Sequence, residues 1–102
     1  MELWIEQVPD GTRLEAVAQR LLGLALAEAL DVAASELADV EWFGELGLTS
    51  LQVLNIVAAL GRDLGELPLT LLFEYPTPEG VVEYLLAHRR DGLARLCEEG
   101  AR

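Results

Sequence analysis

Apolar residues recur at helical spacing in three stretches of the chain, separated by segments in which Gly, Pro and Thr gather. In the first, Leu14, Val17, Ala18, Leu21, Leu22, Ala25, Leu26 and Leu30 share one stripe, the recurrence of an amphipathic helix. The pattern predicts a long core helix over residues 12–31, opened by Thr12-Arg13-Leu14-Glu15, which fits the S/T-x-x-E/Q capping box. Gly23 costs that helix about 1 kcal/mol relative to Ala, and the stripe continues on both sides of it. A second stripe, Val53, Ile56, Val57, Leu60 and Leu64, predicts a helix from Ser50 to Leu64 with Gly65 as its stop. Thr77-Pro78 places an N-cap and an N1 proline ahead of a third stripe, Val81, Val82, Leu85 and Leu86.

Between these helices the chain is less regular. Residues 32–48 form a long connection, with one helical turn expected around Ala33-Ala34-Ser35-Glu36-Leu37 and with Phe43, Leu46 and Leu48 packing it down. Leu67-Pro68 disfavours helix at residue 67. Thr70 to Glu74 has room only for a short helix, whose buried side is expected to be Leu71, Leu72 and Phe73. On that expectation Phe73→Ala would cost about 3–5 kcal/mol. Residues 1–11 read as a loose extension with a turn at Pro9-Asp10-Gly11; Leu3, Ile5 and Val8 would anchor it and Trp4 would pack on the surface. Leu93, Leu96 and Cys97 near the end are at helical spacing, either as a continuation of the last helix past Gly92 or as a separate short one. The chain therefore divides into an extension (1–11), a helical body (12–90) and a tail (91–102).

Composition narrows the class of molecule. The 102 residues include 18 acidic and 7 basic ones, all seven Arg, for a net charge of −11. Nucleic-acid binding needs a basic face to displace counterions, so it is disfavoured. The imbalance is uneven: 15 acidic against 3 basic residues through Leu85, then 3 against 4. An apolar share of 52% excludes a disordered chain. Cys97 is the only cysteine, so no internal disulfide forms and a cytoplasmic setting is the simplest expectation. No signal peptide is evident and no uncharged stretch reaches about 18 residues, which argues against a membrane span. His88, beside Arg89 and Arg90 near a helix end, is expected to complement the helix dipole. Cys97 on an apolar stripe is expected to act as a small buried hydrophobe.

The candidate chemistry sits at the start of the second helix. Thr49 and Gln52 form a capping box, which frees the neighbouring Ser50 hydroxyl to face solvent beside a helix N-terminus that favours phosphate. A serine beginning a helix is, alone, more often a cap than a reactive group. Here, however, Gly47-Leu48-Thr49-Ser50-Leu51 resembles the Gly-x-Asp-Ser-Leu motif of acyl and peptidyl carrier proteins. Eighteen positions after Ser50, the run from Leu67-Pro68 through Pro76-Thr77 resembles the "LP-x-T-x-x-F-x-x-P-T" segment of polyketide-synthase carriers. Two motifs in order, with helical sequence between them, are far more specific than either alone.

The resemblance covers about residues 12–90 and implies an all-α fold: an antiparallel four-helix bundle of acyl-carrier type, with a short third helix and a long loop between helices one and two. It further implies that 4′-phosphopantetheine is carried covalently on Ser50, transferred from coenzyme A by a phosphopantetheinyl transferase. The arm would hold acyl groups as thioesters for a ketosynthase, an acyltransferase and tailoring enzymes, and the domain would be a monomer without catalytic residues or metal. Docking to these partners is expected at Leu48, Thr49, Leu51, Gln52, Asn55, Ala58, Arg62 and Tyr75. The outer face of helix two is neutral, unlike the acidic one common in carriers of bacterial dissociated fatty-acid synthesis, and this favours polyketide or related secondary metabolism. Thr49 departs from the usual Asp, keeping the capping oxygen but losing the charge. The competing readings are a peptidyl carrier and an unmodified bundle acting only as a docking or scaffold module.

Overall fold

A computed structural model describes residues 11–37 and 39–100, and among them every regular element is helical. The order is α1 (Gly11–Leu30), two 3-10 turns (Ala34–Leu37 and Phe43–Leu46), α2 (Ser50–Leu64), α3 (Leu71–Glu74), α4 (Pro78–His88) and α5 (Arg90–Gly100). This is the all-α, acyl-carrier-type bundle expected from the sequence, with its short third helix and long first loop. The readings for residues 1–10 lie outside the described residues. Gly11 is already helical, which puts Thr12 inside α1 rather than at its cap.

The helices form where the apolar stripes predict because each stripe has a partner. Helix α1 packs against α2, α4 and α5. Its Leu14, Ala18, Leu22, Ala25 and Leu26 are buried against Val53, Ile56, Val57, Leu60 and Leu64 of α2 and Val81, Val82 and Leu85 of α4, all in one cluster. Leu86 is only half-buried. Burying each such Val, Leu or Ile side chain contributes about 1.5–3 kcal/mol. No polar or charged residue is buried among the described residues, so the cluster has no unpaired polar group to offset that gain.

The ends of the elements follow local chemistry. Gly65 at φ 90° closes α2, its N–H donating to the Gly61 carbonyl at 3.0 Å, and an L side chain would be strained there. At α4, the Gly80 N–H donates to Thr77 Oγ1 at 2.9 Å while Pro78 fills the first turn. Arg89 breaks the helical run at φ −131°, so the tail forms the separate helix α5. That helix is integral to the packing: Leu93 is 0% exposed and Cys97 is buried. Gly92 approaches Leu64 so closely that a Cβ would lie 3.1 Å from Leu64 Cδ2. Two arginines stitch the same end together, Arg89 donating to the Glu66 carbonyl at 2.7 Å and Arg95 to the Asp63 carbonyl at 3.1 Å.

One expectation is overturned. Phe73 is 70% exposed, whereas Leu71 and Leu72 are buried. The reason is angular: α3 is a single turn of four residues, and successive side chains rotate by about 100°. With Leu71 and Leu72 both turned inward, Phe73 falls on the opposite side. The large cost expected for its removal therefore does not apply. Urea denaturation should show Leu93→Ala losing about 2–5 kcal/mol, and Phe73→Ala changing stability by no more than about 0.5 kcal/mol. The reverse order would place α5 outside the core and Phe73 within it.

Candidate functional site

The loop ahead of α2 is held from both sides. The ring of Phe43 is buried in the core, and its N–H donates to the Pro76 carbonyl at 2.8 Å, tying the loop to the linker between α3 and α4. The Glu45 carboxylate accepts from the backbone N–H groups of Glu41 and Trp42 at 3.1 and 3.2 Å, closing the second 3-10 turn. Trp42 folds over Gly44 so tightly that a Cβ there would fall inside the indole. Gly47 then adopts φ 59°, the left-handed conformation that turns the chain toward α2.

Thr49 caps the helix as the sequence implies. The Gln52 N–H donates to Thr49 Oγ1 at 3.1 Å, and the Thr49 N–H donates to Gln52 Oε1 at 2.9 Å. Ser50, the first residue of α2, is exposed and has no part in this reciprocal pair. The first N–H groups of a helix lack intrahelical acceptors and carry its positive dipole end. The first turn of α2 carries no acidic residue to oppose an anion there.

Beside Ser50 lies an open groove of about 470 Å³ lined by residues 42–44, 47, 48, 50, 53, 72, 73 and 76. None of these side chains is an acid, a histidine or a cysteine. The lining of the groove thus offers no group that could take the serine proton. The only histidine, His88, ends α4 and stacks on Tyr84 with ring centroids 4.5 Å apart.

The sequence-derived docking residues divide between several places. Leu48 lines the groove with Ser50, and Thr49 with Gln52 makes the cap. Leu51 is 66% exposed next to Ser50. Asn55, Ala58 and Arg62 lie farther along α2 in a second groove facing Glu28 and Ala29 of α1. There Arg62 donates to Glu28 at 2.7 Å in an exposed ion pair, an interaction worth about 0–1 kcal/mol. Tyr75 is half-buried and packs on Tyr84 with centroids 5.2 Å apart, so its ring belongs to the ladder Tyr75–Tyr84–His88. Two groove walls, Trp42 and Phe73, were not among the expected site residues. No local signal marks Phe73 as the outward one, because three consecutive apolar residues in a single turn leave open which two face the core.

With the geometry in view, the comparison with known families is decisive. The family model of the phosphopantetheine attachment site matches residues 14–85, from the first turn of α1 to the last of α4. The chain belongs to this family. As a phosphopantetheine carrier domain it bears 4′-phosphopantetheine covalently, and helix α5 lies beyond the matched segment. The structure around Ser50 suits such a group: an exposed hydroxyl, a capped helix start free of acidic residues, and an apolar groove alongside. Among the described residues, no cluster of His, Cys, Asp or Glu could hold a metal ion, and no helix is long and apolar enough to cross a membrane.

The cap can be tested apart from any chemistry. Thr49→Ala removes the oxygen that accepts from Gln52 and should cost about 0.5–2 kcal/mol in urea or thermal unfolding. An unchanged midpoint would mean that the Thr49–Gln52 pair does not hold the start of α2.

Proposed function

We propose that Ser50 is the residue to which phosphopantetheine is attached, and that the domain is an acyl carrier of polyketide or related secondary-metabolite biosynthesis. The observation that carries the reading is the placement of Ser50: exposed and first in α2, next to a neighbour that already caps the helix. Leu67-Pro68 through Pro76-Thr77 supports the polyketide assignment by its likeness to carriers of that kind, as does the neutral outer face of α2.

When bound, the arm supplies a terminal thiol able to hold acyl groups as thioesters. The chain's own residues do the positioning. Gly47 turns the backbone, Thr49 and Gln52 fix the first turn, and Phe43 anchors the loop, so that the Ser50 oxygen is presented at a rigid point. A phosphopantetheinyl transferase would supply the base and the metal for attachment, and the partner enzymes would act on whatever the arm carries. Tethering raises the effective concentration of the cargo at each partner, and modest interfaces permit release. We assign the carrier unit to residues 12–90, with α5 as a buttress, acting as a cytoplasmic monomer.

Intact-mass spectrometry after incubation with coenzyme A and a broad-specificity transferase should show a gain of one phosphopantetheine. Ser50→Ala should show none, while its unfolding free energy changes by no more than about 0.5 kcal/mol. An unmodified wild-type protein would favour a purely scaffolding role. Thr49→Asp, which restores the charge usual in this family, should leave the fold unaltered and change the loading rate. Identical rates with several transferases would show that the charge at this position is not read.

A further inference from the structure

We propose that the apolar groove between α1 and α5 is the seat of the chain's own first ten residues, which strap the tail helix to the bundle. The inference goes beyond the carrier reading and does not depend on Ser50. The groove, of about 400 Å³, sets Val17 and Leu21 of α1 against Leu96 and Cys97 of α5. Leu24, seven residues after Val17 and so on the same face of α1, lines it too and is 51% exposed. Arg13 and Arg20, also seven residues apart, complete the α1 wall, and among the described residues none lining the groove is acidic. In so acidic a body this is a local reversal of charge. Residues 1–85 hold only three arginines; two are in this groove and the third, Arg62, pairs with Glu28.

An apolar groove with two arginines fits a segment that is apolar and acidic together, and residues 1–10 have that composition. Leu3, Trp4, Ile5 and Val8 supply the apolar groups; Glu2, Glu6 and Asp10 supply negative charge, with no Lys or Arg among them. The segment joins α1 at Gly11, two residues ahead of Arg13. Pro9-Asp10-Gly11 carries turn residues suited to sending the chain back along α1. Its length is sufficient. From Arg13 to Leu24 the helix rises about 16 Å, whereas ten residues span about 33 Å extended and about 15 Å even as a helix. Covalent attachment holds the segment beside the groove at high effective concentration, an advantage no free partner shares. Helix α5 and the segment have a further point in common: both lie outside residues 14–85, the stretch matched by the phosphopantetheine-attachment family. The two additions to the family's core would thus be packed on each other.

The test uses the full chain, with Cys97 as the reporter. Leu3→Cys, Ile5→Cys and Val8→Cys each add a second thiol to the segment. Under oxidised glutathione at least one of them should close an intramolecular disulfide to Cys97, read by intact mass and peptide mapping. Closure should be at least about tenfold faster in buffer than in about 8 M urea, because seating brings the two thiols within bonding reach. The double variant Leu3→Ser with Ile5→Ser should raise the rate at which DTNB labels Cys97 at least about fivefold, as expected when a cover is released. Leu69→Ser, which removes an exposed leucine outside the groove, should leave that rate unchanged, with circular dichroism confirming that the variants are folded. Closure no faster in buffer than in urea for all three cysteine variants, or Cys97 labelling unaffected by the double substitution, would overturn the inference and leave the carrier reading untouched. Disulfides that join two chains would make a second copy the occupant and overturn it equally.

Discussion

The backbone N–H of Phe43 donates to the carbonyl of Pro76 at 2.8 Å while the ring of the same residue is buried in the core, and the site depends on this double anchorage. It joins the loop before α2 to the linker between α3 and α4, two segments more than thirty residues apart. Burying one such ring contributes about 1.5–3 kcal/mol, enough to hold a loop that would otherwise sample many arrangements. Because the loop is held, the turn at Gly47 and the cap at Thr49 put the start of α2 in one place. Because the start of α2 is in one place, Ser50 is presented rather than merely exposed.

The division of labour between the two sides of the bundle follows from the same economy. Every described buried residue is apolar, so the interior contributes stability and no chemistry. Many of the polar contacts sit at element ends: the Thr49 and Thr77 caps, the Gly65 stop, and the arginine contacts from Arg89 and Arg95 to carbonyls near the end of α2. Helix α5 belongs to the first group. Leu93 and Cys97 extend the core past the segment shared with the phosphopantetheine-attachment family, so this domain is buttressed at the end of α2 away from Ser50.

Much of this was legible in the chain because helical periodicity and capping chemistry are local. The stripe of α2, the boxes at Thr49 and Thr77, and the stop at Gly65 each depend on residues within a turn or two of one another. Likewise, an exposed Ser50 followed from Thr49 taking the cap. Phe73 was misread because a run of three apolar residues in a single turn cannot say which two face inward; that is fixed by the elements on either side. The start of α1 was placed one residue late because the capping pattern at Thr12 also fits the interior of a first turn. Trp42 as a groove wall, the Arg62–Glu28 pair and the aromatic ladder from Tyr75 to His88 all join residues whose proximity only the fold creates. The choice between a continued last helix and a separate α5 turned on the backbone of Arg89, which nothing in the side-chain pattern marks.

The central claim concerns one oxygen, and it can be read directly. After loading with coenzyme A and a transferase, cleavage at arginine releases residues 21–62 as a single peptide containing Ser35, Thr49 and Ser50. Fragmentation of that peptide by tandem mass spectrometry should place the whole phosphopantetheine on Ser50. Modification found on Thr49, on Ser35 or outside this peptide would contradict the account.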